Sequence, residues 1–228
     1  MKLLKLGQSL GGANRPSGAW SPDDEASLEA WYQKGVGIGL SGATVRAWND
    51  SSSNSIDMTQ GDAAEMPIWN GSLENLQFDG TGRNLQTAGA DITLSGAFTV
   101  GVRVKVGASL GTLLADNTTA GEWLRFISTT VIRLKIDNTT AVDFSLDSGV
   151  WGDGYLVMSR DAADQITMYW NGTAQADTEE LAGTSNIDAI GVRKTDLNPL
   201  DGFITEIQIF STTNASLIAN VNSRLSSL

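Results

Sequence analysis

Phe98-Thr99-Val100-Gly101-Val102-Arg103-Val104-Lys105-Val106 carries the clearest pattern in this chain. Phe98, Val100, Val102, Val104 and Val106 fall on one side, and Thr99, Gly101, Arg103 and Lys105 on the other. An extended backbone sends successive side chains to opposite faces, so an unbroken period of two predicts a half-buried β-strand. Shorter stretches of the same kind surround it. Upstream they are Leu28 to Tyr32, Val45 to Trp48, Ile56 to Gln60 and Leu76 to Phe78. Downstream they are Trp123 to Ile127, Val131 to Ile136, Val142 to Leu146, Tyr155 to Arg160, Gln165 to Trp170, Ile187 to Val192 and Gly202 to Phe210.

Many short strands separated by turn chemistry predict an all-β fold, a two-sheet antiparallel jelly-roll sandwich. Phe98, Val100, Val102, Val104, Ile166, Met168, Ile207 and Ile209 are the expected inward residues. Asp79-Gly80, Asn171-Gly172 and Asp201-Gly202 are expected turns that need positive φ. Ser21-Pro22-Asp23-Asp24-Glu25 signals a short helical turn, with acids at the positive end of its dipole. Only Ala215 to Leu225 has convincing helical spacing, through Leu217, Ile218, Val221 and Leu225. Gly35-Val36-Gly37-Ile38-Gly39 lacks the Lys and following helix of a phosphate loop and is expected to be a flexible connection.

The bulk composition narrows the chemistry. The chain has 228 residues, 41% of them hydrophobic, with no Cys and no His. That rules out a disulfide framework, thiolate or imidazole metal ligands, and any nucleophile–His pair. A formal net charge of −11 repels a phosphate backbone, so nucleic acid is not an expected partner. No apolar run approaches the roughly 20 residues that span a bilayer, so membrane insertion is not expected either. Met1-Lys2-Leu3-Leu4-Lys5-Leu6 lacks the long apolar core of a secretion signal, and the chain is taken to begin at Met1. The sequons at Asn70, Asn117, Asn138 and Asn171 are accordingly taken as turn chemistry.

Residues 1–22 form an expected domain of their own, an extended docking arm ahead of a sandwich at 23–228. Gly11-Gly12 and Arg15-Pro16 oppose helix there. Leu3, Leu4, Leu6 and Leu10 still require burial, and Lys2, Lys5 and Arg15 give the segment positive charge. These residues are expected to dock on another protein chain. The alternative is that the arm forms the first strand of its own sandwich.

Three stretches resemble the concanavalin A-like lectin/glucanase superfamily, in its laminin-G-like branch. The first is Val45-Arg46-Ala47-Trp48-Asn49-Asp50-Ser51, followed by Leu76-Gln77-Phe78-Asp79-Gly80 and Leu85. The second runs from Asp153-Gly154-Tyr155 through Met168-Tyr169-Trp170-Asn171-Gly172, with Tyr155 where His is frequent. The third is Ala189-Ile190-Gly191-Val192, then Leu200-Asp201-Gly202 through Ile209-Phe210. Trp48, Phe78, Trp170 and Phe210 would be the sandwich-core aromatics.

The resemblance implies candidate sites. Glycoside hydrolases of this superfamily alternate acids along one strand to set two carboxylates across a cleft. Here Asp177 and Glu179 lie in an expected loop, Glu122 has no suitable partner acid nearby in sequence, and Glu206 is expected on the solvent side or an edge. No enzymatic activity is expected. Laminin-G-like domains often hold Ca²⁺ through Asp and loop carbonyls, which makes Asp116, Asp196 and Asp50 the candidate ligands. Asx residues in turns also bond their own backbone, and no other cofactor is implied. A sugar platform would use an exposed aromatic among Trp20, Trp31, Trp69, Trp123 and Trp151.

The short arm, single jelly roll, missing Cys and absent signal resemble bacteriophage decoration, tail and fibre proteins. The expected function is a non-enzymatic structural or adhesion component of a virion, assembled in the host cytoplasm. It would be present in many copies or as a homo-oligomer, held to other virion proteins by the arm, and would display the jelly roll to a surface glycan. The rival is a free or cell-surface carbohydrate-binding module.

Overall fold

The computed structural model describes residues 20–89, 91–116, 124–137, 140–147, 149, 152–193 and 197–228. The docking-arm residues Leu3, Leu4, Leu6, Leu10 and Arg15 lie outside the described residues, as do Asp196, Glu122, Trp123 and Trp151.

The strands follow in chain order. The first group is β1 (Leu28–Tyr32), β2 (Ile38–Ser41), β3 (Thr44–Trp48), β4 (Met58–Thr59), β5 (Ile68–Asn70), β6 (Asn75–Asp79), β7 (Leu85–Thr87) and β8 (Ile92–Leu94). The second is β9 (Phe98–Val106), β10 (Gly111–Ala115), β11 (Leu124–Ser128), β12 (Val131–Leu134) and β13 (Val142–Ser145). The last is β14 (Gly152–Arg160), β15 (Gln165–Trp170), β16 (Thr173–Glu180), β17 (Ser185–Ile187), β18 (Ala189–Ile190) and β19 (Asp201–Phe210), before the helix α1 (Ala215–Ser226).

Two layers result. The back layer runs β19–β9–β14–β15–β16, all antiparallel. Along the outer side of β19, β1 pairs with the stretch near Phe210 and β6 with the stretch from Asp201 to Ile204. The front layer runs β2–β3–β4–β7–β18–β10–β11–β12–β13. β5 joins the layers, because it pairs with β6 on one side and with β3 at Thr44↔Ile68 on the other. The hydrogen-bond network is therefore continuous across both layers, and β8 and β17 form a separate two-stranded sheet.

The expected inward set is buried without exception. Val100, Val102 and Val104 share the main core with Leu156, Met158, Ile166, Met168, Ile207 and Ile209 from the back layer. Trp48, Met58, Leu114, Phe126 and Phe144 close it from the front. Each such side chain contributes about 1.5–3 kcal/mol relative to exposure.

A second, smaller core lies on the opposite face of the back layer, under α1. Leu217, Val221 and Leu225 of the helix cover Leu28, Trp31, Tyr155, Val157 and Phe210. Phe210 is thus a helix contact and not a member of the sandwich core. The helix starts where the Asn214 side chain accepts from the Leu217 amide at 2.9 Å. It lies close because Gly101 has no side chain: a β-carbon there would stand 2.5 Å from Val221 Cγ1 and 3.0 Å from Leu225 Cδ1.

Other expectations are corrected. Gly35 to Gly39 is a turn that runs into the strand β2, not a flexible connection. Asp177 and Glu179 sit in the edge strand β16, not in a loop. Asp201-Gly202 begins β19 instead of forming a turn. A side chain on Gly202 would collide with the Lys105 carbonyl of the paired strand. Of the stretch Ile56 to Gln60 only Met58 and Thr59 are strand, since the Ile56 amide is taken by Asp50 at 3.0 Å. The stretch Ile187 to Val192 is split at Asp188, where the chain steps from the small sheet to the large one. Asn171-Gly172 is the tight turn expected, with φ of 50° and 81°. Pro22–Asp24 is a single 3-10 turn, and Trp20 just before it packs on Phe210 at a centroid distance of 6.3 Å.

Candidate functional site

Two turns meet at one corner of the sandwich. One links β1 to β2 through Gln33–Gly37, and the other links β5 to β6 through Asn70–Glu74. The first is fixed from within: the Gln33 carbonyl accepts from the Trp48 indole at 3.2 Å and from the Val36 amide at 3.2 Å. Gly37 has φ of 70°, and its carbonyl accepts from the Asn49 amide at 2.9 Å. The second turn closes through Leu73 N to Asn70 O at 3.2 Å, with Ser72 Oγ donating to Asn70 Oδ1 at 2.9 Å. The turns abut, since a β-carbon on Gly35 would stand 2.8 Å from Glu74 Oε1.

Trp69 stands at this corner. Its amide donates to the Ala43 carbonyl at 2.9 Å, and its ring packs half-buried against the edge of the main core. The other indoles of this region are committed. Trp20 Nε1 donates to Glu25 at 2.9 Å and Trp31 Nε1 to Glu206 at 3.0 Å. Trp69 Nε1 has no hydrogen-bond partner among the described residues. Gly71 keeps the space beside it open, because a β-carbon there would be 3.1 Å from that nitrogen. The turn that Gly71 brings beside the ring carries Asn70, Ser72 and Glu74. The exposed apolar side chains Val36 (44% exposed) and Leu73 (58% exposed) project from the same two turns. A partly exposed indole beside a turn that bears an amide, a hydroxyl and an acid suits the amphipathic surface of a sugar ring. Of the five aromatics proposed as platforms, Trp31 is buried under the helix, and Trp20 is held between Glu25 and Phe210.

The remaining candidates are used elsewhere or lie apart. Asp50 Oδ1 accepts from the Trp31 and Ser52 amides, both at 2.8 Å, and its Oδ2 accepts from Ile56 N and Ser52 Oγ. It braces its loop against β1. Asp116 follows β10 directly, half-buried. Its acidic neighbours are residues that sequence reasoning did not select. Burial first, then the charges of Asp188 and Asp116, hold the Asp91 carboxyl above the ordinary carboxylate range. No group of three or more acids among the described residues is placed to hold a metal ion.

Asp177 and two further acids of the paired strands are likewise engaged in structural bonds. Asp177 Oδ2 accepts from the Ser145 amide at 2.8 Å and ties β16 to β13 across the open side of the sandwich. Asp79 and Asp201 face each other across paired strands. Burial alone would raise the Asp79 carboxyl, but hydrogen bonds from Thr81 and Arg83 hold it below the ordinary range. That is the wrong direction for a general acid. Asp201 Oδ2 accepts from the Ser109 amide at 2.9 Å.

Glu206 is the largest departure. It is fully buried, not on the solvent side. Its carboxylate accepts from Trp31 Nε1 at 3.0 Å, Gln208 Nε2 at 2.8 Å, Lys34 N at 3.2 Å and Arg224 Nη2 at 2.9 Å, with a further short bond from Arg224 Nε. The reason is the helix: Glu206 alternates with the inward Ile207 and Ile209 and faces away from the main core, as the pattern implied, but α1 and Trp31 cover that face.

No protein-family model and no curated protein matches the sequence. Solved structures do share the fold. The botulinum neurotoxin serotype D ligand binding domain, in complex with N-acetylneuraminic acid, is 13% identical at a TM-score of 0.62, over 88% of this chain and 51% of that one. The binding domain of Paraclostridial Mosquitocidal Protein 1 is 12% identical at 0.59, over 91% and 53%. A Trypanosoma rangeli sialidase, in complex with sialic acid, is 16% identical at 0.57, over 89% and 33%. The chain thus spans about half the length of the two binding domains and a third of the sialidase.

Proposed function

We propose that this chain is a non-enzymatic, lectin-like binding module that takes a glycan at the Trp69 corner. The observation that carries this reading is the partly exposed Trp69 indole, whose N–H has no partner among the described residues, beside the turn that carries Asn70, Ser72 and Glu74. Two of the structures that share the fold hold sialic acid, which supports a glycan as the ligand class. Glycan-array binding followed by titration tests it. Trp69→Ala is expected to weaken binding at least tenfold, because stacking on the ring is lost while the fold stays intact. If no glycan binds, or if the variant binds unchanged, the Trp69 reading fails.

We further propose that the module serves as a structural or adhesion component of a bacteriophage virion, a capsid decoration, tail or fibre protein. It would be assembled in the host cytoplasm and docked on other virion proteins by residues 1–22. Composition and the leucine-rich arm support this reading over a free or cell-surface carbohydrate-binding module. Detection of the protein, with its copy number, by mass spectrometry of purified particles is the expected result; its absence from them would favour the free module. No hydrolysis of sialosides or β-glucans is expected, since Asp79, Asp177, Asp201 and Glu206 are engaged in structural bonds. Turnover abolished by a single acid substitution would contradict this.

A further inference from the structure

Two Asn-Gly pairs occur in the chain, Asn70-Gly71 and Asn171-Gly172. Such a pair can react with itself. Glycine has no side chain to shield its amide nitrogen, so that nitrogen can attack the amide carbon of the preceding side chain. Both pairs lie at hairpin turns, and both glycines are exposed. Each is followed by a hydroxyl residue, Ser72 or Thr173, so the two should react alike in an unfolded chain. The fold treats them differently.

Asn171 is clamped to the neighbouring strand. Its backbone amide donates to the Tyr155 carbonyl at 2.9 Å, and its Oδ1 accepts from the Tyr155 amide at 3.0 Å. Gly154 makes room for that side chain, since a β-carbon there would stand 2.8 Å from Asn171 Oδ1. The backbone of Asn171 is held at φ of 50° in its two-residue turn. Its amide carbon cannot swing onto the Gly172 nitrogen without breaking the bond to β14.

Asn70 has no such anchor. Among the described residues its Oδ1 accepts only from Ser72 Oγ, at 2.9 Å and within the same turn. Neither Asn70 Nδ2 nor the Gly71 amide donates a hydrogen bond among those residues. The bond from Leu73 N to Asn70 O closes the turn at its ends and leaves the Gly71 nitrogen unengaged. The Ser72 hydroxyl does more than hold the side chain. A donor on Oδ1 draws electrons from the amide carbon and stabilises the oxyanion that forms as a nitrogen adds.

We infer that Asn70 is a site of self-modification, a deamidation through a cyclic imide, from which Asn171 is spared while the fold holds. The Gly71 nitrogen gives its proton to solvent and bonds to Asn70 Cγ. The bond from Cγ to Nδ2 then breaks, and the nitrogen takes up a proton and leaves as ammonia. Water opens either carbonyl of the resulting succinimide, which leaves aspartate or isoaspartate at this position. Water is the only other reactant. The product adds a carboxylate to the turn that already bears Glu74, and the iso form also lengthens the main chain by a carbon. The change falls against the Trp69 indole, because a β-carbon on Gly71 would lie 3.1 Å from its Nε1. The chemistry is the same whether or not that corner takes a glycan.

Ageing of the full folded chain in mildly alkaline buffer tests this, with peptide mapping by mass spectrometry at intervals and an isoaspartate-specific methylation assay. The expected result is conversion at Asn70 at least tenfold faster than at Asn171. In denaturant the two rates should come within about twofold of each other, because the clamp on Asn171 is lost while the local sequences match. Ser72→Ala should slow Asn70 at least threefold in the folded chain. Equal rates at the two pairs in the folded chain, or a faster Asn171, would overturn the inference. So would an Asn70 that stays intact until denaturant releases it. An unchanged rate in Ser72→Ala would overturn the part assigned to Ser72.

Discussion

Glu206→Ala is expected to destabilise the protein by about 3–5 kcal/mol, the usual range for removing one partner of a buried ion pair. Glu206 is the acceptor for two arms of Arg224, the Trp31 indole, the Gln208 amide and the Lys34 backbone. Alanine leaves all of those donors facing a buried gap. Arg224 also stacks on Trp31 at 4.8 Å, so the helix loses its polar anchor while its cation still covers the ring. Glu206→Gln keeps the shape and some acceptors but loses the charge, and should fall between the two. Chemical denaturation gives the size of the effect, and hydrogen exchange should show α1 opening first. A change below about 1 kcal/mol for the alanine variant would mean the cluster is incidental to stability.

The second large effect is expected at Gly101. Valine there directs two methyl groups into Val221 and Leu225, where even a β-carbon lies 2.5 Å from Val221 Cγ1. Neither side has room. Gly101 sits in the centre of the back layer, paired with Val157 on one strand and Gln208 on the other. Overpacking of this kind costs about 1–3 kcal/mol or more. The strand cannot retreat without breaking two ladders, so the helix should lift. Expected signs are a lower melting temperature and exposure of Trp31 and Tyr155 to solvent quenchers, with the sandwich itself intact. An unchanged melting temperature would show that the helix adapts freely.

Much of this fold is legible in the residues because period-two alternation is strong wherever one face is buried. β9, β15 and β1 match their expected limits residue for residue. The misses have physical causes. β10 is buried on both faces, so it shows no alternation. β16 is an edge of mostly polar residues, and β2 is short and interrupted at Gly39, so both resemble turns in sequence. The helix-side core was hidden because Glu206, Gln208 and Phe210 alternate with the inward Ile207 and Ile209, which resembles a solvent face until α1 is laid over it. Trp69 was legible only as one of five aromatics. Its selection needs the Gly71 gap and the meeting of two turns distant in sequence, and neither is a local pattern. The grouping of Asp91 and Asp188 near Asp116 is of the same long-range kind.

The pairing of β1 with β19 also decides how the module would behave under load. An arm that anchors the protein pulls where the chain enters β1 at Leu28, while a ligand held at the Trp69 corner pulls near the turn that follows Tyr32. The tension therefore runs along β1. Its rungs to β19, from Leu28↔Phe210 to Tyr32↔Ile207, are strained together instead of one after another. A ladder stressed lengthwise yields only when all its rungs fail at once, whereas one peeled from an end parts singly at small force. In single-molecule stretching the module should resist more strongly when held by its amino end and this corner than when pulled between residues 20 and 211, which leave the sheet side by side.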